Sequence, residues 1–235
     1  LELLRHDDGH IYSIYSVNLT KEAPADTKAG FIVQYDVLKA AGYPIITTLD
    51  QLYDVIKAYY EKHPQINGKD TIPFGAAMNS WAINVFFNNA AVSADGRPDH
   101  GNFIIDENNN VYWNPVSELT RKYYKFLNKL FNEGLLDKEA FSMGDQELQA
   151  KMAQGRVLAA YAPDWFSMTP EASLRASGDL DRLYAHIPVF FDESVQDHSN
   201  VITPANGGTH EWAITTKARN PEKIIQFIDY LFSDE

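Results

Sequence analysis

Short apolar runs typical of β-strands alternate along this chain with longer amphipathic segments, and this alternation is the strongest constraint on its fold. Strand candidates occur at residues 31–35, 71–77, 157–161 and 183–190, and those at 71–77 and 157–161 are expected to be buried. Amphipathic helical patterns follow Thr48, Asn114 and Asn220, and each of these residue types can cap a helix. Strands that alternate with helices predict an α/β fold.

Several helix boundaries are marked in the sequence. Thr48 and Gln51 have capping-box spacing, and the apolar positions after them recur at helical intervals until Pro64. Asn114 followed by Pro115 predicts an N-cap and a first helical position, and the apolar stripe that follows is broad. We therefore expect two long core helices in the middle of the chain.

Two further segments carry predictions about burial. Residues 102–113 predict a hairpin, and Trp113 on its second arm is assigned to the core. The terminal helix after Pro221 is amphipathic, and its apolar residues are expected to face inward: Ile224, Ile225, Phe227, Ile228, Leu231 and Phe232.

Composition excludes several classes of protein. The 235 residues include 20 basic and 32 acidic side chains, so the net charge of −12 disfavours nucleic acid and anionic membranes as partners. The absence of cysteine excludes disulfides, thiolate nucleophiles and zinc–thiolate sites. No apolar run reaches the roughly 20 residues of a membrane span. The first residues lack both an initiator Met and a signal-peptide pattern, so the chain is expected to be a piece of a longer protein.

The sequence holds none of the motifs that would indicate a catalytic centre. It has no G-x-S-x-G, H-E-x-x-H, P-loop or G-x-G-x-x-G motif. The spacing of His6 and His10 fits a solvated loop better than a metal site. Residues 106–110 resemble the start of a calcium loop, but Val111 stands where the turn needs Gly and Ser117 where a Glu belongs, so a hairpin turn is favoured. We expect no metal, no cofactor and no catalytic residue.

Three tryptophans have polar neighbours that suit a sugar ligand. A tryptophan ring can stack on the C–H face of a sugar ring, while adjacent polar groups bond its hydroxyls. Each tryptophan taken alone is equally compatible with a core position, and Trp81 also fits a buried helical face. The candidate ligand-binding residues are Trp165, Asp164, Trp81, Asn79, Trp212, Glu211 and His210.

Five phrases occur in order along the chain: DGHIYSI at residues 8–14, then residues 36–42 with 47–52, LNKLFNEGLLD at 127–137, residues 141–157 ending in MAQGRV, and residues 207–208 with 214–235. In this order they resemble the extracytoplasmic solute-binding proteins of ABC transporters, specifically the sugar-binding family related to maltose-binding protein and its lipoprotein relatives. The phrases cover most of the chain.

The resemblance implies an α/β fold of the periplasmic binding protein type II kind, with two lobes joined by crossing strands and with lobe I incomplete here. On the family pattern, residues 1–17 are the end of lobe I and the first crossing strand, residues 18–203 are most of lobe II, and residues 204–235 are the second crossing and the return to lobe I. Solute would lie in the cleft between the lobes. Trp165 matches the family's stacking tryptophan, whereas residues 79–81 match the aromatic segment of the family only approximately.

The resemblance also implies a role and a location. The protein is expected to bind a mono- or oligosaccharide and deliver it to the permease subunits of an ABC transporter, without catalysis. The full-length protein would be extracytoplasmic, as a cell-surface lipoprotein or in the periplasm, and would touch the membrane only through an N-terminal lipid anchor absent from this chain. This piece is expected to bind sugar weakly or not at all, and to expose an apolar face where the missing elements of lobe I should pack.

Two alternatives stay open on the sequence. One is a glycoside or polysaccharide hydrolase that uses the carboxylates of Asp164 and Glu211. The other is a chemoreceptor or signalling partner with the same binding fold.

Overall fold

The computed structural model of the chain describes residues 7–12, 14–15, 29–97, 102–105, 108, 110–195, 211–231 and 233. The chain divides into two compact units, one formed by Leu1–Pro24 with Thr203–Glu235 and the other by Ala25–Ile202. In the larger unit, strands and helices alternate along the chain, so the α/β prediction is confirmed.

Four strands form the central sheet of the larger unit: β2 (Ala29–Gln34), β5 (Ile72–Gly75), β8 (Val157–Pro163) and β9 (Tyr184–Ile187). Their order across the sheet is β5-β8-β2-β9. Strands β5 and β8 are parallel, whereas β2 is antiparallel to β8 and to β9. Every residue of β5 and β8 is buried, as expected for strands that are covered on both faces.

This pairing gives the sheet one edge with a distinctive composition. The carboxyl ends of β5, β8 and β9 lie there together with the amino end of β2, because Ala29 is opposite Pro163 and Phe31 is opposite Ile187. We call this the carboxyl edge, after the strand ends that dominate it.

The helices of the larger unit cover the sheet. They are α1 (Tyr35–Ala40), α2 (Leu49–Lys62), α3 (Ala90–Ala94), α4 (Glu118–Asn132), α5 (Asp145–Ala153) and α6 (Asp164–Ser177). A π-helix at Asn84–Asn89 continues into α3, and short 3₁₀ turns lie at Asn114–Val116 and Leu180–Arg182.

The sequence predicted one of the two helix starts correctly. The capping box of α2 is confirmed, since the Thr48 hydroxyl accepts from the Gln51 backbone and the Gln51 side chain accepts from the Thr48 backbone. The N-cap predicted for α4 at Asn114 is wrong, because Ser117 caps that helix. Asn114 is buried instead, and its amide donates to the backbone carbonyl of Asn88.

Two hairpins project from this framework, β3–β4 (Gln65–Ile66 with Lys69–Asp70) and β6–β7 (Phe103–Ile105 with Val111–Trp113). The hairpin predicted at residues 102–113 is confirmed, but the core position predicted for Trp113 is wrong. Its side chain is 50% exposed and packs edge-on against Phe103, with 5.2 Å between the ring centroids. Strands β6 and β7 pair with each other in a separate two-stranded sheet, so the aromatic pair covers the hairpin and not the main core.

In the smaller unit, β1 (Ile14–Tyr15) pairs antiparallel with β10 (Glu211–Trp212), and helix α7 spans Pro221–Leu231. The inward orientation predicted for this helix holds for Ile228, which is buried, and Phe232 lies outside the described residues. It is wrong for four apolar side chains, which are exposed: Ile224, Ile225, Phe227 and Leu231. Within the described part of the chain, no helix combines the length and hydropathy needed to cross a membrane.

An aromatic cluster joins the sheet to α4. Tyr123 of α4 is fully buried and contacts Phe31 of β2 and Phe126, with centroid distances of 6.3 and 6.1 Å. Within the described residues its hydroxyl has no hydrogen-bond partner, and burial strongly raises its pKa. The buried Tyr184 differs, because its hydroxyl donates to the Val157 carbonyl at 2.8 Å.

The same substitution should therefore have opposite effects at these two tyrosines. Tyr123→Phe should raise the free energy of unfolding by about 1 kcal/mol, because it removes a buried polar group that lacks a partner. Tyr184→Phe should lower it by about 1 kcal/mol, because it leaves the Val157 carbonyl without its donor. Urea denaturation followed by circular dichroism measures both. Shifts of the same sign would contradict this description of the core.

The exposed apolar face of α7 should cause self-association, since contiguous apolar surface drives contacts between copies. The double substitution Ile225→Glu with Phe227→Glu should shift the chain toward monomer in sedimentation velocity. Gln226→Glu adds a negative charge to an exposed polar position of the same helix and should leave the association unchanged. A parent chain that is monomeric at every concentration tested would contradict the prediction.

Candidate functional site

Two tryptophans distant in the sequence meet at the carboxyl edge of the sheet. Trp165 is the second residue of α6, directly after β8, and Trp81 follows β5 after a short loop. Their ring centroids lie 5.6 Å apart with an interplanar angle of 38°, within the range of interacting aromatic pairs. Both rings remain accessible, Trp81 at 39% and Trp165 at 51% exposure. We call this pair the tryptophan platform.

The platform rests on the hydrophobic core. Trp165 packs edge-on against its neighbour Phe166, which is fully buried and in turn contacts Phe86 of the π-helix at 4.9 Å. The Gln149 side chain donates to the Phe166 carbonyl at 3.0 Å and so ties α5 to the start of α6. Because its support is buried and hydrogen-bonded, the platform is preorganised.

The loop before Trp81 has a strained backbone. Ser80 has φ of 58°, in the left-handed region that side chains other than glycine rarely occupy. The adjacent Asn79 is fixed on both sides, since its N–H donates to the Met143 carbonyl and its carbonyl accepts from Ala82. Strain of this kind persists only where the surroundings impose it, and it clusters at binding sites.

Polar groups stand beside the two rings. Asp164 is half-buried in the first turn of α6, where a carboxylate interacts favourably with the helix dipole, and it accepts from the Trp165 N–H. The Asp164 backbone carbonyl also accepts from the Ser167 hydroxyl. Asn79 is exposed two residues before Trp81. Acceptor and donor groups therefore border a pair of flat apolar faces.

The structure thus brings together part of the predicted site. Trp81, Trp165 and Asp164 share one edge with Asn79, and Trp81 has an exposed ring although a buried helical face also suited it. Trp212 and Glu211 lie on β10 in the other unit, where the Trp212 side chain is exposed. His210 lies outside the described residues.

The sequence analysis missed a cavity of about 230 Å³ at the same edge. It is lined by residues from β2, β9 and the turn after α3, and we call it the edge cavity: Ala29, Gly30, Ser93, Gly96, Arg97, His186, Ile187, Pro188, Val189 and Phe190. Desolvation lowers the pKa of His186, while the carboxylates of Asp164 and Glu171 oppose that shift. The influence of Asp164 links the cavity to the region of the platform.

A larger cavity, of about 780 Å³, lies at the opposite edge of the sheet, next to Ile72. The charged side chains there are used internally, since the Lys151 ammonium lies 2.7 Å from the Asp137 carboxylate and 2.6 Å from that of Glu139. None of the described residues that line it is a tryptophan. The aromatic and polar groups that suit a sugar are therefore at the carboxyl edge.

Within the described residues, no group of three or more His, Asp or Glu side chains is arranged to hold a metal ion. Asp106, Glu107 and Asn109 of the calcium-like segment lie outside those residues, as does His6.

The fold is shared with known solute-binding proteins. The sequence profile of the bacterial extracellular solute-binding proteins matches residues 11–235, so the chain belongs to that family. This confirms the resemblance seen in the sequence. Proteins of this family bind solutes and are not enzymes, and the periplasmic binding protein type II fold prediction is confirmed as well.

Two curated proteins illustrate the relationship. Lipoprotein LipO of Bacillus subtilis is 27% identical over 159 residues, which are 63% of this chain and 28% of LipO. The fructooligosaccharide ABC transporter substrate-binding protein FusA of Streptococcus pneumoniae is 29% identical over 143 residues, which are 59% of this chain and 26% of FusA. The matched region therefore spans little more than a quarter of either relative.

Solved structures share the fold. FusA in complex with kestose superposes with a TM-score of 0.62 at 20% identity, covering 83% of this chain and 38% of FusA. A solute-binding protein of Bifidobacterium longum infantis described as binding HMO superposes with a TM-score of 0.68 at 19% identity, covering 99% of this chain and 47% of that protein.

The strain at Ser80 makes a testable prediction. Ser80→Gly should raise the free energy of unfolding by about 1 kcal/mol, because glycine adopts the left-handed conformation without a Cβ clash. The same change at Ser173, which is exposed in the middle of α6, should instead lower it by roughly 0.5 kcal/mol. Thermal and urea unfolding of the two variants measure the difference. A destabilised Ser80→Gly variant would show that the loop is not strained.

Proposed function

We propose that this chain supplies the tryptophan platform of a carbohydrate site in an extracytoplasmic solute-binding protein, and that the full protein delivers an oligosaccharide to an ABC transporter permease. The observation that carries the proposal is the exposed pair Trp81–Trp165 at the carboxyl edge. Ligands of open α/β sheets bind beyond the carboxyl ends of the strands, where this pair lies. FusA, a relative with kestose bound, and a Bacillus licheniformis sugar transporter with stachyose bound support a sugar as the ligand.

The platform recognises a sugar through two kinds of contact. The C–H face of a pyranose or furanose ring buries apolar area against an indole face, while ring hydroxyls bond Asp164 and Asn79. The tilt of 38° between the rings offers two differently oriented faces, which suits consecutive units of an oligosaccharide. Because the platform is held by the core, little side-chain ordering accompanies binding.

The assignment of the remaining residues follows the family pattern. We retain Trp212, Glu211 and His210 as predicted ligand contacts, residues 18–203 as most of lobe II, and residues 1–17 and 204–235 as parts of lobe I with the crossings. We also propose an extracytoplasmic location for the full protein, anchored through a lipid outside this chain, which the name of lipoprotein LipO and the family description support.

The hydrolase alternative has less support. It needs two carboxylates that flank one glycosidic bond. The chain's family is one of solute-binding proteins. The chain can be incubated with a panel of oligosaccharides and assayed for new reducing ends. Turnover that Asp164→Asn abolishes would favour the hydrolase.

Trp165→Ala should weaken sugar binding by about 1–3 kcal/mol, because it removes the indole ring on which the sugar would stack and the apolar area that the sugar would cover. Isothermal titration calorimetry with kestose, stachyose and mannotriose measures the change. Trp113→Ala is the matched control, since Trp113 is exposed to the same degree as Trp165 but lies on the β6–β7 hairpin. Equal losses in the two variants, or none in Trp165→Ala, would contradict the proposal.

A further inference from the structure

We propose that the edge cavity is a second sugar subsite, which holds one monosaccharide unit of an oligosaccharide while a neighbouring unit stacks on the tryptophan platform. The inference rests on the proposed function and adds a position, a size limit and two polar contacts to it. Four features of the cavity carry it: its place on the sheet, its volume, its glycine and its polar groups.

The order of the strands sets the distance between the two subsites. Trp165 follows β8, whereas the cavity lies at β2 and β9, the next two strands along the carboxyl edge. Neighbouring strands are about 4.8 Å apart, so two steps cover about 10 Å. One sugar ring cannot reach both places, but a short oligosaccharide laid along the edge can. The site would therefore prefer oligosaccharides to monosaccharides.

The size of the cavity limits what it can hold. Pockets that enclose a drug-sized ligand measure about 300–1,000 Å³, whereas this one measures about 230 Å³. It suits a single ring. Its walls are fixed, because the Phe190 N–H donates to the Thr47 carbonyl and the Phe191 N–H donates to the Ala94 carbonyl, both at 2.8 Å.

Gly30 keeps the cavity open. It lies inside β2 with an ordinary φ, so no turn requires glycine there. A Cβ at this position would reach His186 Nδ1 at 3.4 Å, which is ordinary contact, so the strands could accommodate a small side chain. A glycine inside a strand often marks the close approach of a ligand. Any longer side chain would project into the space that a sugar ring would occupy.

Polar groups border this space on two sides. Arg97 Nε donates to the Asp95 carboxylate at 2.7 Å, which fixes the guanidinium and uses one of its five N–H donors. The exposed His186 imidazole offers a donor and an acceptor in its neutral form. Pro188, beside them, presents an apolar surface for sugar C–H groups. This combination of hydrogen-bonding groups and an apolar surface suits the hydroxyl groups and C–H face of a neutral sugar.

The test compares an oligosaccharide with its component monosaccharide on the full chain. Kestose, stachyose and mannotriose are titrated by calorimetry, each beside fructose, galactose or mannose. Gly30→Leu should lower the affinity for the oligosaccharide by about tenfold, equivalent to 1.4 kcal/mol, toward that of the monosaccharide. The monosaccharide affinity should stay unchanged. Trp165→Ala should lower both affinities.

A second variant avoids dependence on the strand substitution. Arg97→Gln removes the guanidinium from the mouth of the cavity and should lower oligosaccharide affinity several-fold, in line with the loss of one charge-assisted hydrogen bond. Arg121→Gln, on the exposed surface of α4, is the matched control and should change nothing. If circular dichroism shows that Gly30→Leu does not fold, the affinity of Arg97→Gln alone tests the second subsite.

The outcomes separate the two proposals. If Trp165→Ala weakens binding while Gly30→Leu and Arg97→Gln both retain the parent affinity for the oligosaccharide, the second subsite is wrong and the platform stands. If Trp165→Ala binds the sugars as tightly as the parent chain, the proposed function itself fails and the subsite with it. Loss of oligosaccharide affinity in the cavity variants with unchanged monosaccharide affinity supports the second subsite.

Discussion

The parallel pairing of β5 with β8 is the contact on which the rest of the larger unit depends. Ile72 lies opposite Val157 and Gly75 opposite Ala160, and all residues of both strands are buried. Gly75 is essential to this close approach, because a Cβ there would come within 2.7 Å of a Val157 methyl and 2.9 Å of a Leu148 methyl. Parallel strands bring their carboxyl ends to one edge, so this pairing determines where Trp81 and Trp165 meet.

The charged side chains that pair with one another lie apart from the exposed aromatic rings of the candidate site. Beside β5, where the Asp137 N–H donates to the Phe74 carbonyl, Lys151 neutralises the buried Asp137 and the exposed Glu139. The hydrogen bond from Lys151 lowers the pKa of Glu139. Ion pairs of this kind satisfy their own charges and leave little for a ligand. At the carboxyl edge the rings of the platform stay exposed and the edge cavity stays open. A neutral, hydroxylated ligand fits that edge.

Local signals predicted local structure well. The capping box at Thr48, the buried strand after Val157 and the hairpin near Trp113 could all be read from neighbouring residues. The burial of individual side chains could not be predicted from neighbouring residues, because it depends on which other elements cover a helix or strand. Trp113 and the apolar residues of α7 look like core residues in the sequence but have no such cover within the described residues. The sequence offered Trp81, Trp165 and Trp212 only as separate candidates, since the meeting of Trp81 with Trp165 depends on strand order. The edge cavity depends on the β2–β9 register, although the glycine in the strand-like run Ala-Gly-Phe-Ile-Val was a usable signal.

Fluorine NMR of the chain labelled with 5-fluorotryptophan tests the central claim most directly. The four tryptophans give four signals, which Trp→Phe variants assign, and an oligosaccharide such as kestose is then titrated. The account predicts that the signals of Trp81 and Trp165 move together with one dissociation constant, while that of Trp113 stays in place. Movement of the Trp113 signal without change at Trp81 and Trp165 would place the sugar elsewhere and contradict the account.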